Sequence, residues 1–413
     1  MSMESQHSSD APPPQAVVLQ MLTGMWVSQV LSAVAQLGVA DLIAAGTRSV
    51  KDLSQECSAD ASALHRLLRA AATVGLLLET APGEFALTPL GNTLRSGAQG
   101  SLRDFVIAET AAGHWLPWGR LVDAVKRGGS MTKETLGLDP WDYYAKNDEE
   151  GRCFARGMSN LSAMVSEDVV RVYDPGDVKR VVDVGGSEGI LLRGILGRAP
   201  NARGVIFDRA DVIEGARPAV AESGMAERIE LVSGDFFGNV PGDGDLYLLK
   251  SILHDWPDDK CEEIVKSVHR AAPAGSRLVV VEMLLPDTSQ PSPVTLMDMN
   301  MLVMLGGRER TAGEYNALLQ RSGYAVERVI PTGGMFSVIE ARRVYAGTAG
   351  GAGVAQGSAT IFARSFCRAD SWVSFETTYV SNLAGGWPCT SARIPRSNRI
   401  STSPLWSMSA SFC

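Results

Sequence analysis

The chain has 413 residues, of which 45% are hydrophobic, and a formal net charge of −8 at pH 7. This length suffices for two ordinary domains with a core each, and the negative charge makes nucleic acid an unfavourable main partner. The six cysteines form no Cys-X-X-Cys pair of the kind that binds zinc or closes a disulfide framework. A reducing, cytoplasmic location is therefore expected.

Residues 1–14 are polar and proline-rich, and we expect them to be disordered. They lack the basic and apolar parts of a secretion signal. No continuous run of about 18 uncharged apolar residues follows, so the sequence predicts neither a membrane-spanning helix nor a membrane partner.

Residues 15–100 carry the pattern of a winged-helix domain. Apolar residues at helical spacing over 17–42 predict a helix that ends at Gly38 and buries one face. A second helix is predicted over 59–75, followed by a short hairpin with Gly83 in its loop. Helix, turn, helix and hairpin in this order are typical of the winged-helix fold.

Residues 101–175 predict a helical linker rich in aromatic side chains, which could line a substrate pocket or fill a core. We take Trp115, Met158 and Met301 as candidate contacts for a small-molecule acceptor. Met301 lies in a methionine-rich segment, and a flexible thioether wall suits a flat aromatic ring. The same methionines could simply pack a helix against the core, and both interpretations stay open here.

Residues 176–345 predict an α/β domain, because short apolar runs alternate with helical stretches. This alternation is typical of a doubly wound parallel sheet, and two last runs are expected to close the sheet in the antiparallel direction. The apolar runs occupy residues 181–184, 205–207, 229–232, 246–249, 278–281, 324–329 and 335–340. Residues 346–413 are rich in Gly, Ser and Ala and predict a disordered tail.

A glycine turn follows the first apolar run, in the sequence Asp183-Val-Gly185-Gly186-Ser-Glu-Gly189. Such a turn lets a ligand approach the backbone at the carboxyl end of a strand. The order differs from the G-X-G-X-X-G of dinucleotide sites, which argues against NAD. Asp208 ends the second run and can accept from both ribose hydroxyls, and Asp235 and Phe236 end the third, where they suit adenine. Together these residues predict a nucleoside site.

His254 lies just after the fourth apolar run and is the candidate catalytic base. A phenol has a pKa of about 10, so its deprotonation near neutral pH needs a base that a carboxylate orients. Glu282, at the end of the fifth run, and Glu309, in Gly-Gly-Arg-Glu-Arg-Thr, could each hold the imidazole. A lone histidine here would more often bond a backbone carbonyl, but its place beside the nucleoside site favours the base.

These motifs resemble the caffeate-type small-molecule O-methyltransferases, including bacterial members that act on polyketides. The resemblance covers roughly residues 17–340 and rests on seven segments in matching order and spacing. The segments are Asp183-Val-Gly-Gly, Phe207-Asp208, Gly234-Asp235-Phe236, Leu249-Lys250, Leu253-His-Asp-Trp256, Glu282 and Gly306-Gly-Arg-Glu-Arg-Thr311. It implies a class I methyltransferase (Rossmann-like) fold, an N-terminal domain that forms a homodimer, and S-adenosylmethionine as cofactor.

The resemblance also implies a role for each matching residue. In the cofactor site, Gly185 would contact the methionine part and Asp208 the ribose, with Asp183 and Gly186 completing the glycine turn. The remaining cofactor contacts would be Asp235 and Phe236 on adenine, Trp256 near it, and Lys250. His254 would be the base, flanked by Glu282 and Glu309, with no metal required. The sequence departs from the family at two places. Ser187 stands where the family often has a third glycine, and Arg209-Ala-Asp stands where Leu-Pro is usual.

We therefore expect methylation of a hydroxyl, of the phenolic kind, on an aromatic natural product. One alternative is a family member that supports hydroxylation or decarboxylation of a polyketide instead. A remote alternative is a winged-helix transcription regulator with a ligand sensor, although helix 59–75 offers DNA only His65, Arg66 and Arg69.

Overall fold

The computed structural model describes residues 12–288 and 290–344. The described residues from Gln20 onward belong to one compact unit, and residues 12–19 belong to a second. The predicted tail over 346–413 and most of the predicted disordered start lie outside the described residues. Helix α1 begins at Pro14, inside the start that was predicted to be disordered.

The N-terminal part forms the predicted helices and hairpin. Side chains cap three of the helices, because Ser49 accepts from the amide of Asp52, Asp60 from that of Ala63 and Thr88 from that of Gly91. The elements are α1 (Pro14–Gln36), α2 (Val39–Ala44), α3 (Val50–Glu56), α4 (Ala61–Thr73), β1 (Leu77–Ala81), β2 (Glu84–Leu87) and α5 (Pro89–Asn92). β1 and β2 pair antiparallel, as expected, and Phe85 of β2 lies buried in the core of this part.

Helix α1 departs from the expectation that it buries one face. Only Ser32, Val34 and Ala35 near its end are buried. The apolar side chains Met21, Leu22, Met25 and Trp26 are between 51% and 74% exposed. These four residues are called the α1 apolar face below.

The same helix bears on the prediction that the chain contains no membrane-spanning helix. α1 contains no charged residue. Among the described residues, it is the one helix that is long enough and apolar enough to cross a membrane, by length and composition alone. Glutamines and serines interrupt the apolar residues of α1, so the sequence shows no continuous apolar run there, but the helix has a mean hydropathy of 1.5.

The middle of the chain is helical, as predicted. It consists of α6 (Arg103–Thr110), α7 (Ala112–Trp118), α8 (Leu121–Arg127), α9 (Thr132–Leu136), α10 (Pro140–Lys146) and α11 (Asp148–Val172). The long helix α11 packs on α6, where Gly157 of α11 lies against the backbone of Phe105.

The C-terminal part is the predicted doubly wound sheet. Its strands are β3 (Arg180–Val184), β4 (Arg203–Asp208), β5 (Ile229–Ser233), β6 (Leu246–Lys250), β7 (Arg277–Leu285), β8 (Arg310–Thr311), β9 (Tyr324–Pro331) and β10 (Phe336–Arg343). Its helices are α12 (Ile190–Arg198), α13 (Ala210–Glu222), α14 (Asp258–Ala271), α15 (Val294–Met304) and α16 (Ala312–Arg321). Two short 3-10 turns occupy Ala226–Arg228 and Leu253–Asp255.

In the strand order β5-β4-β3-β6-β7-β10-β9, the direction of winding reverses between β3 and β6. β3 to β7 run parallel, and β10 pairs antiparallel with both β7 and β9. The sequence did not predict β8, a two-residue strand that pairs with β7. Ligands of such sheets bind at the carboxyl ends of the strands near the reversal.

Both faces of the sheet are buried, which explains the nearly continuous apolar runs. Successive residues of a strand enter opposite cores: Val181 packs in one cluster and Val182 in the other, and the same holds for Leu248 and Leu249. The central strands are therefore rigidly placed, and so are the residues at their carboxyl ends.

Candidate active site

The glycine turn joins β3 to α12. Gly185 has φ +71°, a conformation that L side chains rarely adopt, and a Cβ there would lie 2.4 Å from Cδ1 of Ile252. Ser187, where the family often has glycine, also has a positive φ of 49°. Its amide donates to Oδ2 of Asp208 at 2.9 Å. The turn and the end of β4 are thus fixed to each other.

Asp208 lies at the end of β4 with both carboxylate oxygens held in place. Oδ2 accepts from Ser187 and Oδ1 accepts from the amide of Arg209 at 2.8 Å. Burial raises the pKa of Asp208, and the two amides partly offset that increase. A carboxylate fixed in this way presents its free lone pairs in a defined direction, as recognition of two vicinal hydroxyls requires.

An aromatic cluster lies beside the glycine turn. Phe236 approaches the Cβ position of Gly185 to 3.9 Å, and its ring meets that of Trp256 edge-on with centroids 6.1 Å apart. Phe237 joins both rings, at 5.0 Å from Phe236 and 4.9 Å from Trp256. The sequence had not singled out Phe237. Asp235, which precedes Phe236, is exposed and accepts from the amide of Phe237.

Asp183 and Lys250 lie on the neighbouring strands β3 and β6, beneath the glycine turn. Burial raises the pKa of Asp183 to about 7, although the charge of Lys250 counteracts this. Burial lowers the pKa of Lys250. Oδ2 of Asp183 has no hydrogen-bond partner among the described residues, and the carboxyl group lies 2.8 Å from the Cβ position of Gly186. The pair therefore forms a buried polar floor under the turn.

His254 stands in the turn Leu253–Asp255 after β6, and the structure brings both predicted acids to its ring. Nδ1 lies 2.8 Å from Oε1 of Glu309 and 3.8 Å from Oε2 of Glu282. The side chain of His254 is 12% exposed, and those of the two glutamates are 0% exposed. Asp255, which the sequence had not singled out, lies 3.4 Å from Nε2.

Each acid is itself held in place. Oε1 of Glu282 accepts from the amides of Ile252 at 3.1 Å and Leu253 at 2.9 Å. The amide of Glu309 donates to Oδ1 of Asp298 at 2.8 Å. Burial raises the pKa of Glu282 to about 7 and that of Asp255 to about 6.

The charges around His254 decide its protonation. Burial alone would lower the pKa of its imidazole, but the carboxylates of Glu282, Asp255 and Glu309 outweigh that effect and raise it to about 10. A histidine that is held by one acid and surrounded by others is a strong proton acceptor with a fixed ring orientation.

Arg310 holds the two halves of this site together, a role that the sequence did not reveal. Its guanidinium is fully buried and donates to the carbonyls of Leu253 at 2.9 Å and Trp256 at 2.8 Å, on either side of His254. It also donates twice to Oδ1 of Asp258. Gly307 lets the Glu309 loop approach, because a Cβ there would lie 2.0 Å from the carbonyl oxygen of His254.

We expect Arg310→Met to lower the free energy of unfolding by about 2 to 4 kcal/mol, because it leaves two buried carbonyls without this donor. Arg321→Met is the matched control, since Arg321 also lies near Asp258 but its side chain is 48% exposed. The control should change stability by less than about 0.5 kcal/mol. Unfolding in guanidinium chloride measures both variants, and equal stability of the two would contradict the stabilising role of Arg310.

The three candidate acceptor contacts lie on three helices, Trp115 on α7, Met158 on α11 and Met301 on α15. Met301 is buried, Trp115 half-buried and Met158 exposed, and their role stays a prediction. On the first of these helices, Nδ1 of His114 lies 2.7 Å from the hydroxyl of Tyr144. The Tyr144 ring stacks on Phe154 with centroids 4.5 Å apart.

Comparison with known proteins gives matches over both parts of the chain. The model of the O-methyltransferase domain matches residues 118–325, and that of the O-methyltransferase dimerisation domain matches residues 19–97. A phenazine O-methyltransferase, PhzM of Lysobacter antibioticus, is 39% identical over 342 residues, which are 83% of this chain and 100% of that protein.

Two further relatives show the range of the matches. The phenazine-1-carboxylate N-methyltransferase of Pseudomonas aeruginosa is 32% identical over 314 residues, 76% of this chain and 92% of that protein. The crystal structure of human N-acetylserotonin methyltransferase in complex with S-adenosylmethionine superposes with a TM-score of 0.75. It is 27% identical and covers 83% of this chain and 100% of that chain.

Proposed function

This chain belongs to the O-methyltransferase family and is an S-adenosylmethionine-dependent O-methyltransferase, and from this premise we propose that it methylates a phenolic hydroxyl of an aromatic natural product, with His254 as general base. The observation that supports the base is the position of Nδ1, 2.8 Å from the buried carboxylate of Glu309. The phenazine relative supports a flat aromatic acceptor.

The residues present fit the cofactor. Both oxygens of Asp208 are oriented by amides and suit the ribose. The rings of Phe236 and Trp256 provide an edge for adenine. Oδ2 of Asp183, buried and without a partner among the described residues, offers an acceptor under the turn for the amino group of the methionine part. With Gly185, Gly186, Asp235 and Lys250 these residues make up the proposed cofactor site.

When bound, S-adenosylmethionine supplies a methyl group already activated on a sulfonium. The chain's own residues then need only position the acceptor and remove one proton. In the neutral form of His254, an Nδ1–H that donates to Glu309 leaves the lone pair of Nε2 free for the acceptor hydroxyl. Nε2 would take that proton and so ready the acceptor oxygen for the methyl group, which the cofactor would give up on becoming S-adenosylhomocysteine. Holding the reactants in line can lower the barrier by about 7 to 11 kcal/mol at best.

The pH dependence follows from the raised pKa of His254. Below pH 10 the free base is the minor form, because the folded-state pKa of the imidazole is about 10. We therefore expect kcat/KM to rise with pH from 7 to 9, by up to about tenfold per unit. Initial rates with a phenol and subsaturating acceptor test this, and a rate that is constant above pH 7 would contradict the raised pKa.

Methyl transfer to a ring that carries both a hydroxyl and an amine tests the proposed reaction. With isotopically labelled S-adenosylmethionine, mass spectrometry should find the label in a methoxy group. Label on nitrogen would make this chain an N-methyltransferase like its Pseudomonas relative. Hydroxylated or decarboxylated product without label would identify the alternative chemistry.

We also propose a homodimer and a cytoplasmic location. The α1 apolar face is exposed in the single chain, and the dimerisation-domain model covers it. Burial of such a face against a second copy would stabilise a dimer. The described cysteines Cys57, Cys153 and Cys261 are free, which suits a reducing compartment. Light scattering of the purified chain should give twice the monomer mass, and a monomer would contradict the dimer.

A further inference from the structure

We propose that His254, Glu282 and Glu309 form a binding site for a divalent transition ion such as Zn²⁺, and that an ion bound there stops catalysis. The site itself rests on geometry alone. The inhibition rests in addition on the proposed function of His254 as the base.

The three side chains offer nitrogen and oxygen atoms of the kinds that bind Zn²⁺. One ligand atom from each residue lies within 4.8 Å of the others. Nδ1 of His254 lies 2.8 Å from Oε1 of Glu309 and 3.8 Å from Oε2 of Glu282. Imidazole nitrogen and carboxylate oxygen both bind Zn²⁺, with metal–ligand bonds of about 2.0 to 2.2 Å, and three protein ligands leave a fourth position open.

Two oxygens in this cluster lack a partner. Oε2 of Glu282 and Oε2 of Glu309 accept no hydrogen bond from any described residue, although both side chains are 0% exposed. A buried acceptor left without a donor is destabilising. Proton abstraction uses only Oε1 of Glu309, so the two remaining oxygens are available to a cation.

The surroundings hold the ligands in place and favour positive charge. Amides fix Oε1 of Glu282, and Asp298 fixes the backbone of Glu309, and such outer contacts strengthen metal sites. Asp183 and Asp255 lie in the same buried region, so that four carboxyl groups face two cationic side chains, Lys250 and His254.

An ion on Nδ1 would change the tautomer of the imidazole. The protonated ring carries one proton on each nitrogen, so binding through Nδ1 releases the Nδ1 proton to solvent and leaves the other proton on Nε2. Nε2 is the atom that would accept the proton of the acceptor. The ion therefore stops the base while the residues proposed to bind the cofactor stay untouched.

Titration of chelator-treated enzyme with Co²⁺ tests the site directly. We expect the visible absorption of tetrahedral Co²⁺ at one ion per chain, and competition by Zn²⁺. His254→Ala and Glu282→Gln should each raise the Co²⁺ dissociation constant by more than about 100-fold. His65→Ala is the matched control, because His65 also lies near a glutamate, 3.8 Å from Glu79, and it should bind Co²⁺ unchanged.

Absence of the absorption band, or equal binding by wild type and both variants, would overturn the site. For the inhibition, Zn²⁺ should lower kcat at saturating cofactor and acceptor, leave both KM values unchanged, and be reversed by a chelator. Relief by excess S-adenosylmethionine would overturn the tautomer mechanism. If Co²⁺ binds but Zn²⁺ does not inhibit, the metal site is supported and His254 is not the base.

Discussion

Replacement of His254 by alanine is expected to lower turnover by about 10² to 10⁴-fold, the usual contribution of a positioned base. The dissociation constant of S-adenosylmethionine should change little, because none of the proposed cofactor contacts is removed. The loss arises from the missing Nε2 lone pair, which Glu309 aims by holding Nδ1 at 2.8 Å.

Single-turnover rates and calorimetric binding of S-adenosylmethionine measure the two effects separately. His65→Ala again serves as the control, since this histidine belongs to the N-terminal part and should retain full turnover. Turnover of the His254 variant within a few-fold of wild type would mean that another group removes the proton, and Asp255, 3.4 Å from Nε2, would be the next candidate.

Asp208→Ala is expected to weaken S-adenosylmethionine binding by about 10- to 150-fold, the range for loss of hydrogen bonds to a charged group. The carboxylate is held by the amides of Ser187 and Arg209 in a position to accept from both ribose hydroxyls. At saturating cofactor, turnover should stay close to wild type, because Asp208 is not proposed to act on the acceptor.

Asp211→Ala is the matched control for this loss. Asp211 lies three residues further along, its side chain is 61% exposed, and it pairs with the guanidinium of Arg209. Calorimetry should find the affinity of the control unchanged. Equal affinities of the two variants, or an effect of Asp208→Ala on turnover alone, would contradict the ribose assignment.

The sequence predicted the doubly wound sheet and where its main strands lie along the chain, because each central strand is buried on both faces and must be apolar throughout. For the same reason it placed Asp208 and Asp235 at strand ends, where the parallel direction brings them to one edge. His254 and Glu309 were predicted together because one follows β6 and the other a glycine pair, and Glu282 ends the apolar run of β7, a strand that continues to Leu285.

The contacts made across the edge could not be read from the sequence. Arg310 and Asp255 stand inside the two motifs that were recognised, yet only the fold shows that Arg310 donates to both sides of the His254 turn. The acceptor pocket is less predictable still, because Trp115, Met158 and Met301 lie on helices far apart in the chain. The α1 apolar face has the periodicity of a buried helix, and the sequence does not reveal that a single chain leaves it exposed.

The ratio of wild-type turnover to that of His254→Ala, measured over phenols of decreasing pKa, tests the central claim most directly. An ordinary phenol, with a pKa of about 10, needs a base at neutral pH. A phenol whose pKa lies below the assay pH arrives already ionised and does not. If His254 is the base, the ratio should fall from about 10² or more toward one as the acceptor becomes more acidic. A large ratio that is the same for every phenol would contradict proton removal by His254.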